Sequence, residues 1–194
     1  MCLQGDLDVA AKALASGQVV GVPTETVYGL AVRLDHFGAI RRLLKIKERQ
    51  ADGDKILSLM VSEVGQIGRY AELEKRAFNL ALRHFPGELT MVLSKKFDFR
   101  HEYFDYFDTI GVRIPDHEYM LKLLNRTGAL LVTSANSRGE APCLTSGELS
   151  ERMPEVDMVV KGRAGGNLPS TVLDFSDSED PVVLRQGGLL IVRY

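Results

Sequence analysis

Apolar positions along this chain follow two spacings, and the two alternate in blocks. Leu7, Ala10, Ala11 and Leu14 repeat every three to four residues, which predicts a helix over 6–16 with Gly17 as its stop. Phe37, Ile40, Leu43 and Leu44 do the same and predict a helix over 36–48, with Asp35 as the candidate N-cap. Leu73, Ala77, Leu80 and Ala81 place a third helix at 72–84, and residues 117–125 form a short fourth one. Thr145 and Glu148 have the spacing of a capping box that opens another. Between these lie short apolar runs of strand length: 19–22, 56–61, 89–93, 109–114 and 129–133. The end of the chain is strand-rich, with runs at 156–160, 171–175, 182–184 and 189–192. Helices and strands alternate first and strands dominate afterwards, which predicts an α/β protein with a mixed sheet. In the stretch 97–108, Phe, Tyr and Asp alternate without a period, and it reads as a surface loop or excursion.

The chain has 194 residues, a length that suits one domain over 1–194. Hydrophobic residues are 45% and charged residues 26%, enough apolar matter to exclude a disordered chain. The net charge is −2, so no overall basic field draws it to nucleic acid, and anion binding must come from a local cluster. Cys2 and Cys143 are far apart and show neither metal spacing nor a disulfide framework, which points to a reducing, cytoplasmic setting. The N-terminus has no basic, apolar leader, and no membrane span is expected.

Six turns carry more polar chemistry than a connection requires. Pro23 to Leu30 follows a buried strand, and its Thr24 and Thr26 hydroxyls suit a small polar ligand. On physics alone the plainer reading of those threonines is helix capping. Arg41, Lys45 and Arg49 share a helix face, whereas Lys47 points elsewhere near the helix end, where the dipole favours a cation. The cluster is either a solvated basic face or a polyphosphate site. In Thr109 to Pro115, period-two logic puts Gly111 and Arg113 on one face and Ile110, Val112 and Ile114 on the other. If Arg113 is buried there, it needs an anionic partner. Thr133-Ser134-Ala135-Asn136-Ser137-Arg138-Gly139 is a turn suited either to ribose, phosphate or base edges or to bonding its own backbone. The run Gly165 to Thr171 precedes a strand, and Gly187-Gly188 after Arg185 reads as a hairpin. No P-loop, no G-x-G-x-x-G and no paired nucleophile motif occurs, so any chemistry rests on positioning and charge neutralisation.

In order, P-T-E-T-V-Y-G-L, K-x-R at Lys47 to Arg49, F-P-G-x-L-T, G-V-R-I-P, T-S-A-N-S-R-G, P-S-T-V-L-D and L-R-Q-G resemble the YrdC-like family from about Gly17 to Arg193. The resemblance implies an open, twisted mixed β-sheet flanked by helices, with a positively lined cleft. It implies formation of threonylcarbamoyl-adenylate and pyrophosphate from L-threonine, bicarbonate and ATP, with Mg²⁺ accompanying the nucleotide. The product would feed a downstream tRNA threonylcarbamoyl transferase complex. By resemblance Lys47 and Arg49 bind the triphosphate and carry the chemistry. Ser134, Asn136 and Arg185 bind the nucleotide, with Thr109 and Cys143 near it. Thr26, Arg113, Ser170 and Thr133 hold threonine. The chain departs from the family pattern after Arg49: the two prolines usual there are replaced within 50–57, and Asp52 and Asp54 stand beside the phosphate-binding pair. The alternatives are a non-catalytic member binding RNA, tRNA or nucleotide weakly through the same cleft, and a carbamoyl-transfer domain of larger maturation proteins.

Overall fold

A computed structural model describes residues 4–47, 57–137, 139–176 and 181–191. Arg49, Arg138 and residues 50–56 of the altered segment 50–57 lie outside the described residues. The helices are α1 (Gln4–Ala15), α2 (Phe37–Ile46), α3 (Lys75–His84), α4 (Glu118–Thr127) and α5 (Ser146–Arg152). The strands are β1 (Val20–Val22), β2 (Gly29–Arg33), β3 (Ser58–Met60), β4 (Leu89–Ser94), β5 (Thr109–Arg113), β6 (Leu130–Ser134), β7 (Met158–Val159), β8 (Thr171–Asp174) and β9 (Val182–Arg185). They form one nine-stranded sheet in the order β7-β1-β2-β6-β3-β5-β4-β8-β9. Pairs β1–β7, β3–β5 and β4–β8 are parallel and the other five antiparallel, so the sheet is mixed, as the block pattern predicts.

The two faces of the sheet are built differently. On one, Val22, Ala31, Val132, Leu130 and Met60 pack beneath α1 and α4, whose Leu14, Met120, Leu123 and Leu124 are buried. Each such side chain contributes about 1.5–3 kcal/mol on leaving water. The opposite face carries Leu30, Leu131, Leu59, Val112, Ile110 and Met91, packed with Ile40, Leu43 and Leu44 of α2 and Ala77 and Ala81 of α3. Arg113 pairs with Met60 and Val112 with Leu59, so Arg113 shares the α1/α4 face. Beyond β3, that face stops being apolar. A side chain on Gly111 would meet Thr90 and Ser58, which places Ser58, Gly111, Thr90 and Arg113 together.

Four expectations fail for identifiable reasons. Residues 97–108 are a loop only partly at the surface: Phe97 and Tyr106 are exposed, but Phe104 is fully buried, and Phe99, His101 and Tyr103 make ring contacts with it. His101 Nε2 lies 2.7 Å from the Leu34 carbonyl, and the Leu57 N–H donates to the Tyr103 hydroxyl at 2.9 Å. Asp35 does not cap α2, because Arg33 takes its carboxylate; the N-cap position is His36, without a side-chain cap. Residues 189–191 form no strand. The Leu189 carbonyl accepts from Thr171 Oγ1 (2.7 Å) and Gln186 Nε2 (2.8 Å), so side chains replace a ladder, and Gly187-Gly188 closes no hairpin. Strand β2 is the converse case: it opens at Gly29 directly after the Pro23 to Tyr28 turn, and the sequence reading passes over it.

Candidate functional site

The Pro23–Tyr28 segment leaves β1 and folds so that its polar side chains meet the polar half of the sheet. Thr24 Oγ1 donates to the Val27 carbonyl at 2.7 Å, accepts the Thr26 N–H at 3.1 Å and lies 2.9 Å from Thr26 Oγ1. Thr24 therefore holds the turn and Thr26 faces outward from it. Gly165 and Gly166 donate to the carbonyls of Thr24 and Thr26 at 2.9 and 3.1 Å, and a side chain on either glycine would press within about 3 Å of the Glu25 carbonyl. This close approach is what the Gly-Gly pair supplies.

Arg113 lies beneath that turn. One of its terminal nitrogens donates to Thr26 Oγ1 (2.9 Å) and to Glu25 Oε1 (2.7 Å). Its side chain is 6% exposed and that of Glu25 14%, so this is a buried ion pair. Each partner keeps one buried polar atom with no hydrogen-bond partner among the described residues: Arg113 Nε and Glu25 Oε2. An unsatisfied buried polar atom costs about 1–3 kcal/mol.

Ser170 closes the same region from the segment before β8. Its hydroxyl is 2.8 Å from Thr90 Oγ1, and Arg185 donates to the Ser170 carbonyl through Nε (3.1 Å) and a terminal nitrogen (2.9 Å) and to its hydroxyl (3.1 Å). Arg185 is exposed as a residue, but its guanidinium packs on Ser170; the partial loss of water there, with the nearby positive charge of Arg113, holds it below the usual guanidinium range. Arg185 is thus a constructed part of the site and not surface decoration.

A second cluster forms where α2 ends. Lys47, the C-cap residue of α2, is 3% exposed. Its ammonium donates to the Ser134 carbonyl and to Asn136 Oδ1, both at 2.9 Å, and to the Asn136 carbonyl. Ser134 Oγ donates to Asn136 Oδ1 at 2.6 Å, and Asn136 Nδ2 donates to the carbonyls of Ser137 and Glu140 at 2.9 Å. The Ser134–Asn136 turn therefore bonds its own backbone, as one of the two sequence readings holds, and also receives a buried cation. The two clusters join through the backbone: Ala135 N–H donates to the Tyr28 carbonyl (2.8 Å), Tyr28 N–H to the Cys143 carbonyl (3.0 Å), and Gly29 pairs with Ser134.

Sequence-selected residues separate accordingly. Thr26, Arg113, Ser170 and Arg185 meet at one place, and Lys47, Ser134 and Asn136 at the adjoining one. Thr133 pairs with Leu30 on the opposite face of β6 from Ser134. Thr109 is half-buried at the other end of β5 from Arg113, paired with Ser94. Cys143 is fully buried, and burial raises its thiol above the usual range. The sequence reading passes over Glu25 and Thr90. The signal for Glu25 was present: a buried strand arginine needs an anion, and the Pro23–Leu30 run holds one carboxylate.

His117, at the N-cap position of α4, senses Glu25 electrostatically. Burial lowers its pKa from 6.5, against the opposing pull of Glu25, Glu118 and Asp116. As pH falls, the unfolded chain takes up this proton first. The stabilisation from His117 is therefore complete above pH 6.5 and lost below it. His117→Gln should flatten the acid limb of stability, read from denaturant midpoints across that range.

The fold places the chain among open, mixed-sheet α/β proteins. Within that class it belongs to the Sua5/YciO/YrdC family, whose model (Telomere recombination) matches residues 12–187. It is 32% identical over 182 residues to a threonylcarbamoyl-AMP synthase of Vibrio campbellii, covering 91% of this chain and 96% of that one. A solved structure of P. abyssi Sua5 complexed with L-threonine superposes with a TM-score of 0.85 at 32% identity, over 94% of this chain. This chain spans about half of that longer protein, 54%. The crystal structure of E. coli YciO superposes with a TM-score of 0.86 at 26% identity, over 96% of this chain and 91% of that one.

Proposed function

We propose that the chain is a threonylcarbamoyl-AMP synthase, joining L-threonine, bicarbonate and ATP to give threonylcarbamoyl-adenylate and pyrophosphate. The observation that carries this reading is the meeting of Arg113, Thr26, Ser170 and Arg185, residues scattered over 160 positions, on the polar half of one sheet face. In this reading Arg113 binds the threonine carboxylate, and Thr26 and Ser170 orient the amino acid. The neutral threonine amine attacks the bicarbonate carbon; the C–N bond forms as the C–OH bond breaks, and the hydroxide leaves as water with a proton from the amine, giving a carbamate. A carbamate oxygen then attacks the α-phosphorus and pyrophosphate leaves. Lys47 and Arg49 neutralise charge on the phosphoryl oxygens, and Ser134, Asn136 and Arg185 seat the nucleotide beside Thr109 and Cys143. Thr133, the remaining candidate for the threonine end, stands on the opposite face of the sheet from Arg113 and is given no direct contact in this reading.

Among the described residues no group of three or more His, Cys, Asp or Glu side chains could hold a metal ion. In this reading Mg²⁺ arrives with the nucleotide substrate. No helix among the described residues is long and apolar enough to cross a membrane. We place the reaction in the cytoplasm, with its product passing to a tRNA threonylcarbamoyl transferase complex.

The test is pyrophosphate release by the purified chain. Release that requires threonine, bicarbonate and ATP together is the expected result. Salt-sensitive tRNA binding with no pyrophosphate release would overturn it in favour of the non-catalytic RNA-binding alternative.

A further inference from the structure

We infer that Glu25 is the receptor for the substrate's ammonium group, so that the Glu25–Arg113 pair recognises an α-amino acid zwitterion as a unit. The inference rests on the threonine reading above and adds the residue that reads the amine. The argument comes from the two orphaned atoms. Among the described residues Arg113 Nε is a buried donor without an acceptor, and Glu25 Oε2 is a buried acceptor without a donor. The pair has already satisfied one arm of each partner, through the 2.7 Å contact at Glu25 Oε1. What stays open is one cationic donor and one anionic acceptor on adjoining side chains. An α-amino acid presents the reverse set: a carboxylate that accepts and an ammonium that donates, one carbon apart.

Other occupants match less well. An inorganic anion or a carboxylic acid would satisfy Arg113 Nε and place its charge against Glu25. A simple amine would satisfy Glu25 and meet two guanidinium groups, since Arg185 also feels Arg113. The zwitterion alone answers both orphans without a like-charge contact. Glu25 is also well placed to hold its geometry. Its carbonyl is closely approached by Gly165 and Gly166, and the Thr24 hydroxyl pins the turn on either side of it.

The experiment compares calorimetric binding of L-threonine and of 2,3-dihydroxybutanoate, in which a hydroxyl replaces the amine, to the full chain and to Glu25→Gln. A carboxamide can keep the acceptor toward Arg113 but presents NH₂ at the second position. Wild-type protein should bind threonine at least about 10-fold tighter than the hydroxy acid. Glu25→Gln should lose about 10- to 100-fold in threonine affinity and little in hydroxy-acid affinity, the scale of one charge-assisted hydrogen bond. Unchanged threonine binding by the variant, or an equal loss for both ligands, would overturn the inference; the latter would mean that Glu25 only props Arg113. Should the variant fail to fold, the wild-type comparison still decides: equal binding of the two ligands sinks the ammonium receptor while leaving threonylcarbamoyl-adenylate formation standing. Binding of neither ligand overturns the threonine reading and this inference with it.

Discussion

Replacing Arg113 with Met is expected to abolish threonine-dependent pyrophosphate release and to lower the melting temperature by roughly 6–20 °C. Both effects have one source. Arg113 is almost fully buried, and its charge is matched by Glu25 and a Thr26 hydroxyl. Removing it leaves a carboxylate of low exposure without its cation, which costs about 3–5 kcal/mol when a buried pair is broken from one side. It also removes the proposed anchor for the substrate carboxylate. The two losses can be separated by a second change. Arg113→Met combined with Glu25→Gln replaces the uncompensated charge by a neutral amide and should recover part of the melting temperature, while activity stays absent. If the double variant were as unstable as the single one, the ion pair would not be the source of the effect. If the single variant kept its activity, the amino-acid site would not be here.

Lys47→Ala should reduce turnover at saturating threonine by about 10²–10³-fold, measured well below the variant's own melting temperature. The ammonium of Lys47 gathers two backbone carbonyls and a side-chain oxygen from the Ser134–Asn136 turn. Its removal leaves three acceptors facing one another, a destabilisation on the order of 2–3 kcal/mol. The effect on activity is expected to exceed what this loss explains, because the same cation is proposed to meet the nucleotide's phosphates. Lys47→Arg separates the two roles poorly in size but well in kind: a planar fork cannot converge on three oxygens as a compact ammonium does. The arginine variant should therefore fold, with an elevated apparent KM for ATP. Full activity in Lys47→Ala would confine Lys47 to holding the turn.

Much of the arrangement around Arg113 follows from local pattern. Period-two alternation puts Gly111 and Arg113 on one face and Ile110, Val112 and Ile114 on the other, and the sheet keeps that division. The demand of a buried guanidinium for an anion also holds, with Glu25 answering it from 88 residues away. What local pattern lacks is any statement of which distant turn comes to which strand. The aromatic stretch 97–108 shows this most clearly. Its spacing matches neither helix nor strand, yet Tyr103 accepts the Leu57 N–H and the His101 ring packs on Phe37, both partners more than forty residues earlier. The capping-box signal at 145–148 fares better, since it involves only neighbours: Thr145 Oγ1 accepts the Glu148 N–H at 3.2 Å. Even there Glu148 reaches the Leu144 N–H, one residue before the expected donor. Lys47 illustrates the opposite limit. Helical periodicity separates it from Arg41 and Lys45, and this is correct, but only the pairing of β2 with β6 carries Ser134 to it.

The terminal strand gives the site an uneven mechanical footing. Among the described strands β9 pairs only with β8, with a register irregularity at Val172 and Leu173, and all four of its residues are exposed. Arg113 lies in the middle of the sheet, whereas Arg185 is supplied by this loosely held margin. Local opening, which draws on the least-packed elements first, would begin at that margin and withdraw one guanidinium while the interior stays folded. A ligand touching both arginines would act as a clasp across the sheet, so tight binding and an ordered C-terminal edge become the same event.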